Sequence, residues 1–336
     1  MSDFDDKQKL QEFIKCLAEL QNNDGNTCAM LWIKSYESDP PEWMRHSPEL
    51  RNESNNTCAM LWIEHCKSNP PEWMHHDPEL RNYNDYETCA MLWIKHCQTN
   101  PPEWMHHDPE LLNESDNTCA MLWAQHCRLD PPEWMCHDPE LQDYDDGDTC
   151  AMIWIKCRES DPPEWMHHKS TILNEDNETC AMLWIENCKS NPPEWMHHDP
   201  LEIKNTCAML WIQYCKTNPP EWMHHDPKLQ NCSDDATCAM LWIQYCKTNP
   251  PEWMHHNSEF CNYYNNTCAM FWIYCCKTNP PEWMHHNPEL QNNKGNTCAM
   301  QWIEYCKTNP PEWMTQSRKR KLILDENEQK KRHIEY

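Results

Sequence analysis

The feature that most constrains this chain is a block of residues that recurs ten times, written once as TCAMLWIEHCKSNPPEWMHHDPEL from Thr57 to Leu80. Its threonine-cysteine starts fall at Thr27, Thr57, Thr88, Thr118, Thr149, Thr179, Thr206, Thr237, Thr267 and Thr297, so the steps are 30 or 31 residues except one of 27. A fixed period of this size means stacked copies of one small unit, because a single copy cannot bury its own apolar face. A length of 336 residues could form two globular domains, but ten copies point to a repeat array.

Thr57 is a residue type that starts helices, and Cys58, Ala59, Met60, Leu61, Trp62 and Ile63 behind it form an unbroken apolar run. A helix with no polar face must be covered on both sides, most simply by the same helix of the copies before and after. Next comes Asn69-Pro70-Pro71-Glu72, which reads as the start of a second helix. Asn69 caps, Pro70 takes the first helical position where its missing N–H costs nothing, and Glu72 reaches back as in a capping box. All ten copies hold Asn or Asp at the cap and keep the glutamate. Proline inside a continuing helix costs about 3 kcal/mol, so the first helix must end before it. The second carries Trp73 and Met74 and is expected to last about two turns, because Asp77 precedes Pro78 and is held extended. From there to the next threonine the copies differ (ELRNYNDYE, ELLNESDN, KLQNCSDDA, SEFCNYYNN), and these stretches are expected to project as loops.

A turn ending in NNDGNT (Asn22 to Thr27) or NNKGNT (Asn292 to Thr297), followed by CAMLWI or its variant, resembles the DxxGxTPLHLA of ankyrin repeats. The stretch ending near WMHHDPELQN then falls where that family has LLxxGADVN. The resemblance spans Asn22 to Met314 and implies an all-α, helix-turn-helix repeat solenoid of ten repeats that serves as a scaffold for protein partners. The period is shorter than the family's roughly 33 residues. Cys-Ala-Met replaces Pro-Leu-His, and the glycines after both helices are missing. The shorter loop leaves open whether β-hairpin fingers form.

The expected organisation is an N-terminal capping helix over residues 1–25, the array over 26–314 and a tail over 315–336. Leu10, Phe13, Ile14, Leu17 and Leu20 recur at helical spacing behind Asp3, Asp5 and Asp6, whose charges suit a helix start. At the step of 27, Leu201 and Ile203 alternate with Glu202 and Lys204, so the apolar pair is expected to turn back onto the helices across a shortened loop of a continuous array. The tail opens with Arg318, Lys319, Arg320 and Lys321 and holds seven basic and four acidic residues, so residues 1–314 carry −29 of the net −26. That acidity excludes a nucleic-acid reader, which needs a basic surface. No apolar run approaches the roughly 18 residues of a membrane span, and no secretory signal opens the chain. A monomer in the cytoplasm is expected, with Arg318, Lys319, Arg320 and Lys321 reading as a nuclear-import address.

The 24 cysteines suggest disulfides or metal, but Cys58 and Cys66 lie eight residues apart on one helix, about 12 Å of rise. They can neither bridge nor share an ion. Reduced, buried, apolar thiols are the expectation. The histidine pairs, such as His75-His76 and His106-His107, point about 100° apart on a helix, a poor chelate, and are read as partners of the last helical carbonyls. No phosphate loop, nucleophile elbow or solitary catalytic set is present, so neither enzyme activity, cofactor nor metal is expected.

The near-verbatim helices serve packing; the differing loops are what a partner could read. Tyr83, Asp85, Tyr86, Tyr144, Asp145, Tyr263 and Tyr264 are the candidate contact residues, aromatic anchors being typical of interfaces. The alternative is a cysteine- and histidine-rich metal or thiol reservoir. Because single copies cannot fold, a two-repeat fragment, Asn26 to Glu87, is expected to be mostly disordered by circular dichroism, whereas six repeats with the N-terminal helix are expected to be helical.

Overall fold

The computed structural model describes residues 2–199 and 205–315. The 200–204 segment, with the expected inward turn of Leu201 and Ile203, and the basic tail beyond 315 lie outside the described residues. The chain divides into two compact units, Met1–Cys180 and Ala181–Tyr336. Among the described residues the secondary structure is helical, with isolated two-residue bridges but no strands.

The first unit holds α1 (Ser2–Ala18) and the repeat helices α2 (Cys28–Tyr36), α3 (Cys58–Cys66), α4 (Cys89–Cys97), α5 (Cys119–His126) and α6 (Cys150–Arg158). The second holds α7 (Cys180–Cys188), which starts at the boundary, then α8 (Cys207–Tyr214), α9 (Cys238–Cys246), α10 (Cys268–Cys276) and α11 (Cys298–Cys306). From α2 to α6, and again from α8 to α11, each helix packs on the next, so each unit is a stack of repeats, an all-α helical solenoid. The apolar run explains the stacking directly: in α3, Cys58, Ala59, Met60, Leu61, Trp62 and Ile63 are all buried. At its start Thr57 caps, its hydroxyl accepting the Met60 N–H at 3.3 Å.

Helix ends carry a conformational cost. Lys67 sits in the left-handed region at φ 49° while its N–H donates to the Ile63 carbonyl; Glu37, Gln98, Glu159 and Lys277 do the same, and Lys247 and Lys307 share the left-handed conformation, at φ between 50° and 58°. Most helices that end this way use glycine, for which the region is free of the Cβ clash.

The second element differs from the expected capped α-helix. It is a single 3-10 turn, Glu72–Met74, preceded by an extended Pro71 (φ −55°, ψ 148°), with no side-chain cap. The reason is the second proline: Pro70 itself precedes a proline and is therefore pushed out of the helical region, so Asn69 cannot sit one residue before a helix. The turn then ends at once, because His75 is extended (φ −65°, ψ 133°). What the turn supplies is Met74, which is fully buried against the helices. Asn69 takes another role, accepting the indole N–H of Trp104 in the next repeat at 3.2 Å. The same bond joins Trp134 to Asn100, Trp222 to Asn191, Trp253 to Asn218, Trp283 to Asn249 and Trp313 to Asn279, and Asp39 does likewise for Trp73.

Helix α1 packs on the first 3-10 turn, Glu42–Met44, and buries Ala18. Leu10, Phe13, Ile14 and Leu17 stay exposed, so the apolar stripe that suggested a cover is open to water.

Replacing Lys67 with glycine is expected to raise stability by about 1 kcal/mol, since relief of the left-handed Cβ clash outweighs the added freedom of the unfolded chain. Chemical denaturation of the variant checks this; a lower midpoint would show that the lysine side chain holds the helix end.

Candidate functional surface

The described loops between a 3-10 turn and the next helix are each built around one asparagine, or around Asp143 in the loop before α6. Asn82 Oδ1 accepts the N–H groups of Asp85 and Glu87, and the Asn82 N–H closes the turn onto the Glu87 carbonyl at 3.0 Å. Asn52, Asn113, Asn174, Asn231, Asn262 and Asn292 play the same part, are all buried, and precede the capping threonine by five or six residues. That spacing is visible in the sequence, although it lies inside stretches that read as merely variable. The described loops are therefore tight Asx-type turns, and antiparallel bridges pair Gln142 with Thr149, Gln230 with Thr237 and Cys261 with Thr267 across three of them.

Two residues before the threonine, every described loop places a residue in the left-handed region: Gly25, Asn55, Tyr86, Asp116, Gly147, Asn177, Asp235, Asn265 and Gly295. At Gly25 a Cβ would lie 2.7 Å from the Glu53 backbone nitrogen, because neighbouring loops touch. They are tied by backbone bonds: Tyr83 N–H to Ser54 O, Glu114 N–H to Asp85 O and Tyr144 N–H to Ser115 O in the first unit; Tyr263 N–H to Asp234 O and Asn293 N–H to Tyr264 O in the second. Main chains are thus fixed while side chains stay free. Tyr83, Tyr86, Tyr144, Tyr263 and Tyr264 are all exposed, as are Asp85 and Asp145. Tyr83 and Tyr86 share a shallow groove of about 350 Å³ with Arg51, Glu79 and Arg81. Tyr263 and Tyr264 meet edge to face at 5.4 Å. Tyr144 and Asp145 occupy a different loop of the first unit from Tyr83 and Tyr86, with Asp146 exposed beside them.

Beneath the loops the histidine pairs divide their work. His75 Nε2–H donates to the Pro70 carbonyl and its ring stacks on Trp104 of the next repeat, centroids 4.1 Å apart. His76 donates from Nδ1 to the Asp77 carbonyl at 2.7 Å, which leaves Nε2 as an acceptor. Thr57 donates its hydroxyl to that nitrogen at 2.9 Å, and the Cys89 thiol of the next repeat approaches it to 3.5 Å. Burial holds His76 below the usual imidazole range and pushes the Cys58 thiol up to about 12. All 24 cysteines are free thiols, and those that follow the capping threonines are buried, except Cys28. Among the described residues no group of three His, Cys, Asp or Glu side chains gathers as a metal site, and no helix is long and apolar enough to cross a membrane.

No protein-family model matches this chain, and neither does any curated protein.

The threonine–histidine junction sets a pH dependence. Protonating His76 puts a hydrogen on Nε2 facing a hydroxyl that donates to it, and burial opposes the charge. His107, His137, His225, His256 and His286 are depressed for the same first reason. Between the folded values and the unfolded 6.5, the unfolded chain holds more protons, so stability is full above that range and falls as pH drops through it. The melting temperature is expected to fall by several degrees from pH 7.5 to 5, and His225→Gln with His256→Gln to flatten that slope. A melting temperature independent of pH in this range would show that the junctions accept protons freely.

Proposed function

We propose that the protein is a non-enzymatic scaffold that binds a protein partner through its loop tips, and that the array is a divergent relative of ankyrin repeats. The observation that carries the binding reading is Tyr86. It occupies the left-handed position at φ 54°, where all the other described loops place glycine, asparagine or aspartate. A bulky side chain there is strained. Tyr86 is also 47% exposed, so packing within the chain does not compensate for the strain. Strain retained at a solvent-facing aromatic is accounted for by a contact made outside the chain.

Two further observations support the same reading. The bonds between loops remove much of the ordering cost that flexible loops incur on binding. Tyrosine offers a large, rigid contact with a polar end, which suits partner recognition. The net charge of −26 favours a partner with a basic face. Free thiols throughout the array suit a reducing compartment, so we place the protein inside the cell. A metal or thiol reservoir gains no comparable support, since the thiols after the capping threonines are largely buried and pushed away from ionisation.

The test uses affinity capture from the source cell with the full chain, a Tyr83→Ser, Tyr86→Asn, Tyr144→Ser variant, and a control carrying Glu72→Gln and Glu103→Gln on the exposed 3-10 turns. The expected outcome is that the tyrosine variant loses its specific partner, the glutamine control keeps it, and Tyr86→Asn alone raises stability by about 1 kcal/mol. A partner set unchanged by the tyrosine variant would overturn the loop surface.

A further inference from the structure

The repeats are near copies, so a departure shared by two neighbours stands out. Where α3, α4, α5, α7, α8 and α9 carry Leu61, Leu92, Leu122, Leu183, Leu210 and Leu241, α10 has Phe271 and α11 has Gln301. Three residues further on stand Tyr274 and Glu304. Helices α10 and α11 pack together, and these four residues line a single groove of about 510 Å³ in the second unit, together with Tyr264 and Tyr305. Tyr274 and Tyr305 meet edge to face at 5.2 Å, with Tyr274 and Tyr264 more than half exposed.

Gln301 is the residue that makes this groove a site. It is only 7% exposed, yet its side-chain oxygen accepts no hydrogen bond. Burying an unpaired amide oxygen is unfavourable, and the leucine of the other repeats would avoid it. A polar replacement in a terminal repeat could serve to make the end of a stack soluble. Gln301 does not do so, because it is buried while Met300 and Ile303 of the same helix remain 43% and 59% exposed. The amide is turned to a groove walled by aromatic rings, where a ligand donor would satisfy it.

We propose that this groove receives the guanidinium of an arginine on a partner peptide, with N–H groups donating to Gln301 Oε1 and the Glu304 carboxylate while its plane lies against the tyrosine rings. Arginine fits because its planar fork serves two acceptors at once and still stacks on aromatic faces, whereas a lysine ammonium acts as a point charge. Citrulline, isosteric but neutral, lacks the charge that draws the ligand to a chain of net charge −26. Glu304 offsets Lys294, the one basic residue lining the groove. The inference rests on the partner-binding reading above and names one chemical group for it.

The test is fluorescence anisotropy of labelled Gly-Gly-Arg-Gly-Gly with the full-length chain at low salt, alongside its lysine and citrulline forms, with free arginine as competitor. The arginine peptide is expected to bind at least about tenfold more tightly than the citrulline form and severalfold more tightly than the lysine form. Gln301→Leu, which installs the residue of the other repeats, is expected to raise the melting temperature and weaken the arginine peptide about tenfold. Tyr274→Gln, which copies Gln244 of α9, should weaken it similarly. Equal binding of arginine and lysine peptides with no effect of Gln301→Leu would reduce the groove to part of an acidic surface. Free arginine competing as well as the peptide would make it a small-molecule site, and no binding to folded protein would remove it. Each of these overturns the proposal but leaves the loop surface standing, because that reading is measured through Tyr83, Tyr86 and Tyr144 in the first unit.

Discussion

The fold depends on a hydroxyl that faces two ways. Thr57 accepts the N–H that starts α3 and donates to His76, nineteen residues on, at 2.9 Å. His76 in turn donates to the Asp77 carbonyl and meets the Cys89 thiol of the following repeat. One short chain of hydrogen bonds therefore joins a helix start, the end of a 3-10 turn and the next copy. The threonine–histidine bond repeats at Thr88, Thr118, Thr237 and Thr267 with distances of 2.8 to 3.0 Å. A buried network of this kind fixes geometry because leaving any one member unpaired is costly. Around it the apolar runs can pack without specifying register by themselves, since near-identical surfaces would slide.

That network also gives the abundant cysteines and histidines a structural role. A cysteine that follows a capping threonine fills a space beside an imidazole of the copy before, as Cys119 does beside His107, and the second histidine of a pair serves the threonine, as His107 serves Thr88. The first histidine lies flat on a tryptophan instead, as His106 does on Trp134 at 4.2 Å. Neighbouring histidines thus face separate partners, one towards the core and one towards the surface.

Much of this was legible in the residues. Threonine before an unbroken apolar run announces a capped, doubly covered helix, and α3 is that helix. The proline pair was misread because only Pro70 was weighed; Pro71 imposes an extended conformation on it, which leaves room for a single 3-10 turn. The role of Asn69 was not legible, since its partner Trp104 is 35 residues away and a polar residue before proline also looks like a cap. The loops hid their order in the same manner. Asn82 and Tyr86 matter for backbone reasons, a turn held by a side chain and a left-handed residue, and such roles leave only a faint trace among changing polar letters. The tyrosines were legible as exposed side chains; the groove around Gln301 was not, because a single leucine-to-glutamine change resembles drift until its burial is known.

The tryptophan–asparagine bond has a consequence for how such a chain can change through time. A copy such as that of Trp104 carries both halves of the joint, an indole for the copy before and an acceptor for the copy after. Within a stack, gaining or losing a whole copy by unequal exchange between duplicated gene segments therefore mates an old indole with an old acceptor and leaves no orphan inside. An indole with no earlier copy to meet stands at the first repeat, where Trp43 is already 49% exposed to water. Length in such a chain is free to vary in whole repeats, while side chains such as Tyr86 and Gln301 can be altered copy by copy without disturbing the joints.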